Sequence, residues 1–172
     1  MIKRFTLALL CMANLAFAQS AERLAAYKGN NVTLSYPSSW KVDETGTYGP
    51  KLFLFSPLKE GDAFSENVNL VLEGLKDSGI SLDKYYELAK EAIKKLMTNY
   101  KQISSRKLKD ANGDYYQFEY TSDQGDYHLY IIQRVWLVNN VAYILTSAAE
   151  QTQIEQYRNT FTEIAKTFRI KK

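Results

Sequence analysis

The chain carries one histidine, His128, and one cysteine, Cys11. Those two residues bound most of the side-chain chemistry open to it. A Ser-His-Asp relay would have to be built on His128, because its base must be an imidazole that titrates near neutral pH. A zinc site would lack a second imidazole. His128 stands on an alternating segment close to Asp126, a placement that suits a surface residue with one hydrogen bond better than a base. Carboxylates could act without it. Glu66, Glu73 and Glu119 could supply a glycosidase-type pair, but nothing in their spacing sets a separation. Glu60, Asp62 and Glu66 could face calcium, yet they lack the regular alternation of a calcium loop, and solvation accounts for them. No G-x-S-x-G, H-E-x-x-H, phosphate-cradling glycine loop or dinucleotide fingerprint is present. The residues point away from an enzyme, and a hydrolase using His128 or Glu119 is the minority reading. No cofactor and no metal is implied.

Recognition is the other chemistry on offer. If Gln124-Gly125 and Asn139-Asn140 are two-residue hairpin loops, the register of three strands follows. Val138 then opposes Val141, Trp136 opposes Tyr143 and Arg134 opposes Leu145. Around the first turn Thr121 meets His128, Glu119 meets Tyr130 and Gln117 meets Ile132. One face holds Tyr116, Phe118, Tyr120, Tyr127, Leu129, Ile131, Val135, Leu137, Ala142 and Ile144, and is expected to lie under helices. The other is mixed: Glu119, Thr121, His128, Tyr130, Ile132, Arg134, Trp136, Tyr143 and Leu145. Two explanations compete. Another segment could cover the aromatics and leave Arg134 and Glu119 at a solvated edge. Alternatively the face is a shallow groove with Trp136 and Tyr143 as floor, Arg134 to fix a polar group, and Tyr130 and Glu119 alongside, since arginine and aromatics together make interface anchors.

The elements that must position these residues are readable from periodicity. Residues 19–30 form a helical or extended lead-in. Asn31 to Tyr36 alternates as a strand, Pro37 stops its ladder, Ser38-Ser39 turns the chain, and Trp40 folds back as an apolar anchor. Further strands are expected at Lys51 to Phe55 and Asn67 to Leu75. From Gly79, Ser81 is a good N-cap with Asp83 in the first turn. Leu82, Tyr85, Tyr86, Ala89, Ile93, Leu96, Met97 and Tyr100 follow as one helical stripe, widened by Leu88 and Ala92. An antiparallel run comes next: Lys101 to Lys109, Asp114 to Ser122, Tyr127 to Val138 and Val141 to Ser147. Ile154, Tyr157, Phe161, Ile164 and Phe168 mark a closing helix over about Gln151 to Lys166. With no Pro/Gly linker and no repeat, this is a single α+β domain over residues 19–172.

The N-terminus reads as a leader. Lys3 and Arg4 precede an apolar run from Phe5 to Met12, and Ala16-Phe17-Ala18 is an A-x-A cleavage site. The run is well short of the roughly 20 residues of a membrane span. Leu9 and Leu10 before Cys11 spoil a lipobox, so the sole cysteine leaves with residues 1–18 and the mature chain has no disulfide. Loss of Lys3 and Arg4 takes the net charge from +3 to +1, which argues against nucleic acid or an anionic membrane as partner. All 13 tyrosines lie outside that leader, a bias that suits both half-buried sheet and binding surface.

"VTLSYPSSWKVDE", "LFLFSP", "ENVNLVLEGL", "GDYYQFEYT", "RVWLVNNVAYILTSAAE" and the closing "AKTFRI" resemble, in this order, the PsbP/DcrB-like family. The resemblance spans nearly the whole mature chain, and its pieces specify a fold rather than an activity. It implies a central antiparallel β-sheet flanked by helices on both faces, an α/β/α sandwich in which the Pro-Trp corner pins the first strand. Members are mostly non-enzymatic binding or accessory proteins, and fold alone does not carry function. Metal sites of photosynthetic members have no matching motif here. The expectation is an exported, monomeric, non-catalytic protein that acts on another envelope protein through a sheet face or the 44–66 loops. A small-ligand carrier, with a cleft between sheet and helix, is the alternative. The mature protein recovered from the envelope begins at Gln19, which its intact mass checks.

Overall fold

In the computed structural model, residues 23–47, 49–76 and 79–171 are described; the leader and its cleavage site lie outside them. The lead-in is extended: β1 (Leu24–Lys28) pairs antiparallel with β2 (Val32–Pro37). Pro37 is the last residue of β2, and Trp40 N–H then closes a turn on the Pro37 carbonyl at 2.9 Å. A three-residue strand that alternation does not mark, β3 (Lys41–Asp43), pairs with β4 (Leu52–Phe55), and β4 with β5 (Asn67–Gly74). Helix α1 (Leu82–Leu96) follows, then β6 (Thr98–Asp110), β7 (Gly113–Gln124), β8 (Tyr127–Val138) and β9 (Val141–Glu150). Helix α2 (Ile154–Thr167) and β10 (Arg169–Ile170) close the chain. Seven strands form one antiparallel sheet in the order β3-β4-β5-β9-β8-β7-β6; β1, β2 and β10 form a second, smaller one.

The Asn139-Asn140 loop is as expected, with φ of 50° and 57°, and Trp136 opposes Tyr143 across it. The other turn differs. Gly125, with φ of 58°, is the first loop residue rather than the second, so Gln124 stays in the ladder opposite Tyr127. Thr121 therefore meets Tyr130, Glu119 meets Ile132 and Gln117 meets Arg134. The pairing slides by two residues, and because side chains alternate with period two, every residue keeps its expected face.

Side chains on the sheet divide between two clusters. Phe118, Tyr120, Leu129, Ile131, Val135 and Ala142 pack with Tyr85 and Tyr86 of α1. Ile132, Trp136, Tyr143 and Leu145 pack with Ile154, Tyr157, Phe161 and Phe168, with Val32 and Leu34 of β2, and with Trp40. The Trp40 indole lies 6.3 Å from both the Tyr157 and Phe161 rings, so the Pro-Ser-Ser-Trp corner fastens β2 onto α2. The Ser81 hydroxyl caps α1 by accepting from Lys84 N–H at 3.2 Å. The α1 stripe sinks unevenly: Tyr85 and Tyr86 are buried, Ile93 and Met97 half-buried, and Leu96 in the last turn stays 76% exposed.

Asn112, expected only as a turn residue, is buried and joins the two sheets. Its Nδ2 donates to the Phe168 carbonyl at 3.1 Å and its Oδ1 accepts from Ile170 N–H at 2.9 Å. Both groups belong to the segment that carries α2 into β10. Asn112→Ala leaves the Ile170 N–H without its partner and the Phe168 carbonyl with Arg169 alone, and lowers unfolding free energy by about 2 kcal/mol, measurable by urea denaturation.

Candidate functional site

The mixed face is the one that α2 covers. Trp136 is 1% exposed, Tyr143 is buried beside it, and both lie in the cluster with Phe161 and Phe168. The Trp136 ring sits 4.9 Å from Tyr115 and 5.0 Å from Phe168, and its indole N–H donates to Asp110 Oδ1 at 3.2 Å. The aromatic residues expected as a floor are packed against a helix, so Trp136→Ala would remove core and cannot serve as a surface probe.

The polar residues of that face form a chain. Glu119 Oε2 accepts from the Tyr130 hydroxyl at 2.6 Å and from Arg158 Nη1 of α2 at 3.0 Å. Gln117 Nε2 donates to Glu119 Oε1 at 3.0 Å, and Gln117 Oε1 accepts from Arg134 Nε at 2.9 Å. The Arg158 guanidinium also lies over the Tyr130 ring, 5.0 Å from its centre. Glu119, Tyr130 and Arg134 are thus brought together, while Tyr143 lies apart in the apolar layer.

Electrostatics follow from that wiring. Burial by itself would raise the Glu119 carboxyl; hydrogen bonds from Tyr130, Arg158 and Gln117, with the Arg158 charge, outweigh it and hold the group below the usual range. Arg158 is disfavoured by its partial burial, but its bonds to Tyr130 and Glu119 raise it. Burial and the Glu119 bond together raise the Tyr130 phenol. Arg134 moves the other way: burial lowers it, and the charges nearby only partly compensate.

Beside this chain is a cleft of about 270 Å³ between β7, β8 and the end of α2. Arg134, Gln117, Tyr115 and Trp136 line its sheet side, and Thr162, Ala165 and Lys166 its helix side, with Arg169 beyond. A larger cleft, about 820 Å³, lies at the far edge of the big sheet, lined by Lys41 to Thr45, Phe55 to Leu58 and Ser65.

His128 is not part of either. Its Nδ1 bonds Asp123 Oδ1 at 2.7 Å on the exposed hairpin end, a bond that raises its pKa, and its partner is Asp123 rather than Asp126. Among the described residues no three His, Cys, Asp or Glu side chains gather as metal ligands, and no helix is long and apolar enough to cross a membrane. Glu66 is buried and accepts from Ser56 Oγ at 3.2 Å.

Sequence reasoning missed Gln117, Arg158, Asp110, Lys166 and Arg169. Gln117 was within reach, since it stands two residues before Glu119 on the same face. Arg158 was not, because it is 39 residues from Glu119 and meets it only when α2 docks.

Comparison with known proteins agrees on the fold. The PsbP family pattern matches residues 22–170. No curated protein matches in sequence. The solution structure of cyanobacterial PsbP (CyanoP) from Synechocystis sp. PCC 6803 is similar at a TM-score of 0.66 and 14% identity, covering 90% of this chain and 96% of that one. LpqN of Mycobacterium tuberculosis, described as involved in cell envelope biogenesis, is similar at 0.68 and 10% identity, covering 87% and 91%. PA94 from Pseudomonas aeruginosa, a protein of unknown function described as a putative regulator, is similar at 0.61 and 12%, covering 84% and 94%. At these identities the likeness is one of fold.

A carboxyl held low in the folded state contributes stability that is present above its unfolded pKa, about 4.3, and is lost as pH falls through the folded value. Glu119→Gln therefore costs about 1–3 kcal/mol at pH 7. The gap to the unaltered protein narrows as pH drops below about 4, which denaturation curves across pH 3–7 measure.

Proposed function

This chain belongs to the PsbP family, and on that premise we propose that it is a non-catalytic accessory protein that acts on another protein of the cell envelope. Export after loss of residues 1–18, a single mature domain over 19–172 and action as a monomer are parts of the proposal. So is the reading of the fold as an α/β/α sandwich, supported by the division of β8 side chains between the α1 and α2 clusters. LpqN, similar in fold and described as involved in cell envelope biogenesis, supports the compartment.

The observation that carries the reading is the cleft at the 44–66 loops. It is the larger of the two clefts, it sits beside β3 at the edge of the sheet, and it exposes large apolar side chains: Leu58 at 60% and Val42 at 37%. Exposed apolar groups rimmed by Lys41, Asp43 and Glu44 have the anatomy of a contact for another protein. The mixed sheet face is the weaker candidate, since α2 occupies it.

One observation favours the small-ligand alternative: the cleft between sheet and α2 holds a buried arginine with donor capacity to spare.

Photo-crosslinkers placed at Val42 and Leu58 in intact cells test the accessory role. One envelope protein is captured at both positions and not from Lys95 on α1. Equal labelling from all three positions, or no specific product at positions 42 and 58, defeats it.

A further inference from the structure

We infer that the cleft between β7, β8 and the last turns of α2 binds a small organic carboxylate. This rests on the small-ligand reading of that cleft and is independent of the partner contact at the 44–66 loops.

Arg134 lines the cleft, is only 5% exposed, and its Nη1 is buried with no hydrogen-bond partner. A buried guanidinium normally answers its charge with a carboxylate, because an unpaired buried ion is costly. Neither carboxylate near Arg134 does so. Glu119 is taken by Arg158 and Tyr130, and reaches Arg134 only through Gln117. Asp110 is taken by Asn112 N–H, by Asn112 Nδ2 and by the Trp136 indole. Arg158 and Glu119 neutralise each other, and Asp110 spends its oxygens on neutral donors, so Arg134 has no directly bonded counter-ion. Burial itself lowers its pKa.

The rest of the lining agrees in sign and shape. Lys166 and Arg169 stand at the helix side; Lys166 Nζ is shared with Glu163 Oε1 at 2.6 Å, while Arg169 Nη1 donates to the carbonyls of Lys166 and Phe168 and so occupies oxygens that would repel an anion. The volume equals that of about nine liquid waters, room for a compact organic acid. Tyr115, stacked on Trp136, and Ala165 supply apolar wall for a carbon skeleton. Arg134 Nε is already spent on Gln117, leaving the buried Nη1 as the donor without a partner. Asp110 in the wall favours a monoanion over a dianion such as phosphate.

The test is an NMR titration of the folded mature protein with sodium benzoate, benzamide and inorganic phosphate at constant ionic strength, following the Trp136 indole and Arg134 Nε–H signals. Benzoate shifts both saturably and benzamide, its neutral counterpart, binds at least about tenfold more weakly. Lys166→Gln, a change on the exposed helix surface, weakens benzoate about fivefold. Arg134→Met abolishes the titration while leaving the thermal midpoint unchanged or higher, because it removes an unpaired buried charge. If Arg134→Met does not fold, the benzamide and Lys166→Gln comparisons decide. Equal binding of benzoate and benzamide, tighter binding of phosphate, or an unaltered benzoate titration in the folded Arg134→Met protein overturns the inference. A neutral molecule co-purifying in the cleft, seen by native mass spectrometry, overturns the carboxylate class and keeps the carrier reading. No saturable shift with any probe and no occupant overturns both.

Discussion

The seating of Phe168 between the two sheets is the constraint on which the rest depends. Its ring is fully buried against Trp136, its carbonyl is held by Asn112, and the residue after it begins the strand that pairs with β2. Thr167, one residue earlier, trades hydrogen bonds with the Ser35 backbone. Because this joint fixes the end of α2, it also fixes where Arg158 and Lys166 stand relative to the sheet. Trp40 holds the middle of the helix from the β2 side through Tyr157 and Phe161.

Covering a polar strip with a helix has an electrostatic consequence. Glu119 and Arg134 lie on strand positions that α2 removes from water, and only one of them receives a partner of opposite charge from the helix. Glu119 gains Arg158; Arg134 keeps only the Gln117 amide of its own sheet and faces a cleft. The Glu119 half of the chain behaves as a structural ion pair, partly open to solvent at Arg158. The Arg134 half is under-satisfied, the condition that marks a buried polar group with a role beyond packing. The same helix that closes the aromatic floor thus creates a smaller, charged opening at its own end.

Much of the fold was legible. Alternation marked β2, β4, β5 and β6 to β9 within a few residues, Ser81 marked the start of α1, and Asn139-Asn140 set a register that holds. The Gln124-Gly125 turn was misplaced by one residue because glycine tolerates left-handed backbone at either loop position, and only strand pairing chooses between them. β3 and β10 are too short to carry a periodic signal, and they exist because a neighbouring strand offers a free edge. The outward turn of Leu96 was equally hidden, since an apolar stripe says which face can be buried and not how far along its length the sheet extends.

For the candidate site the division is sharper. The sequence by itself determined which side chains share a face, because side-chain alternation along a strand is local and survives even a two-residue slip in register. It determined that Glu119, Tyr130, Arg134, Trp136 and Tyr143 would lie on one side, and the α+β class with its antiparallel strands. Only the tertiary structure decided what covers that side. Whether Trp136 is a floor open to a ligand or a wall beneath α2 depends on contacts across tens of residues. So does the choice of which charge Arg158 neutralises. Those contacts come from packing of whole elements, and no local pattern of residues encodes them.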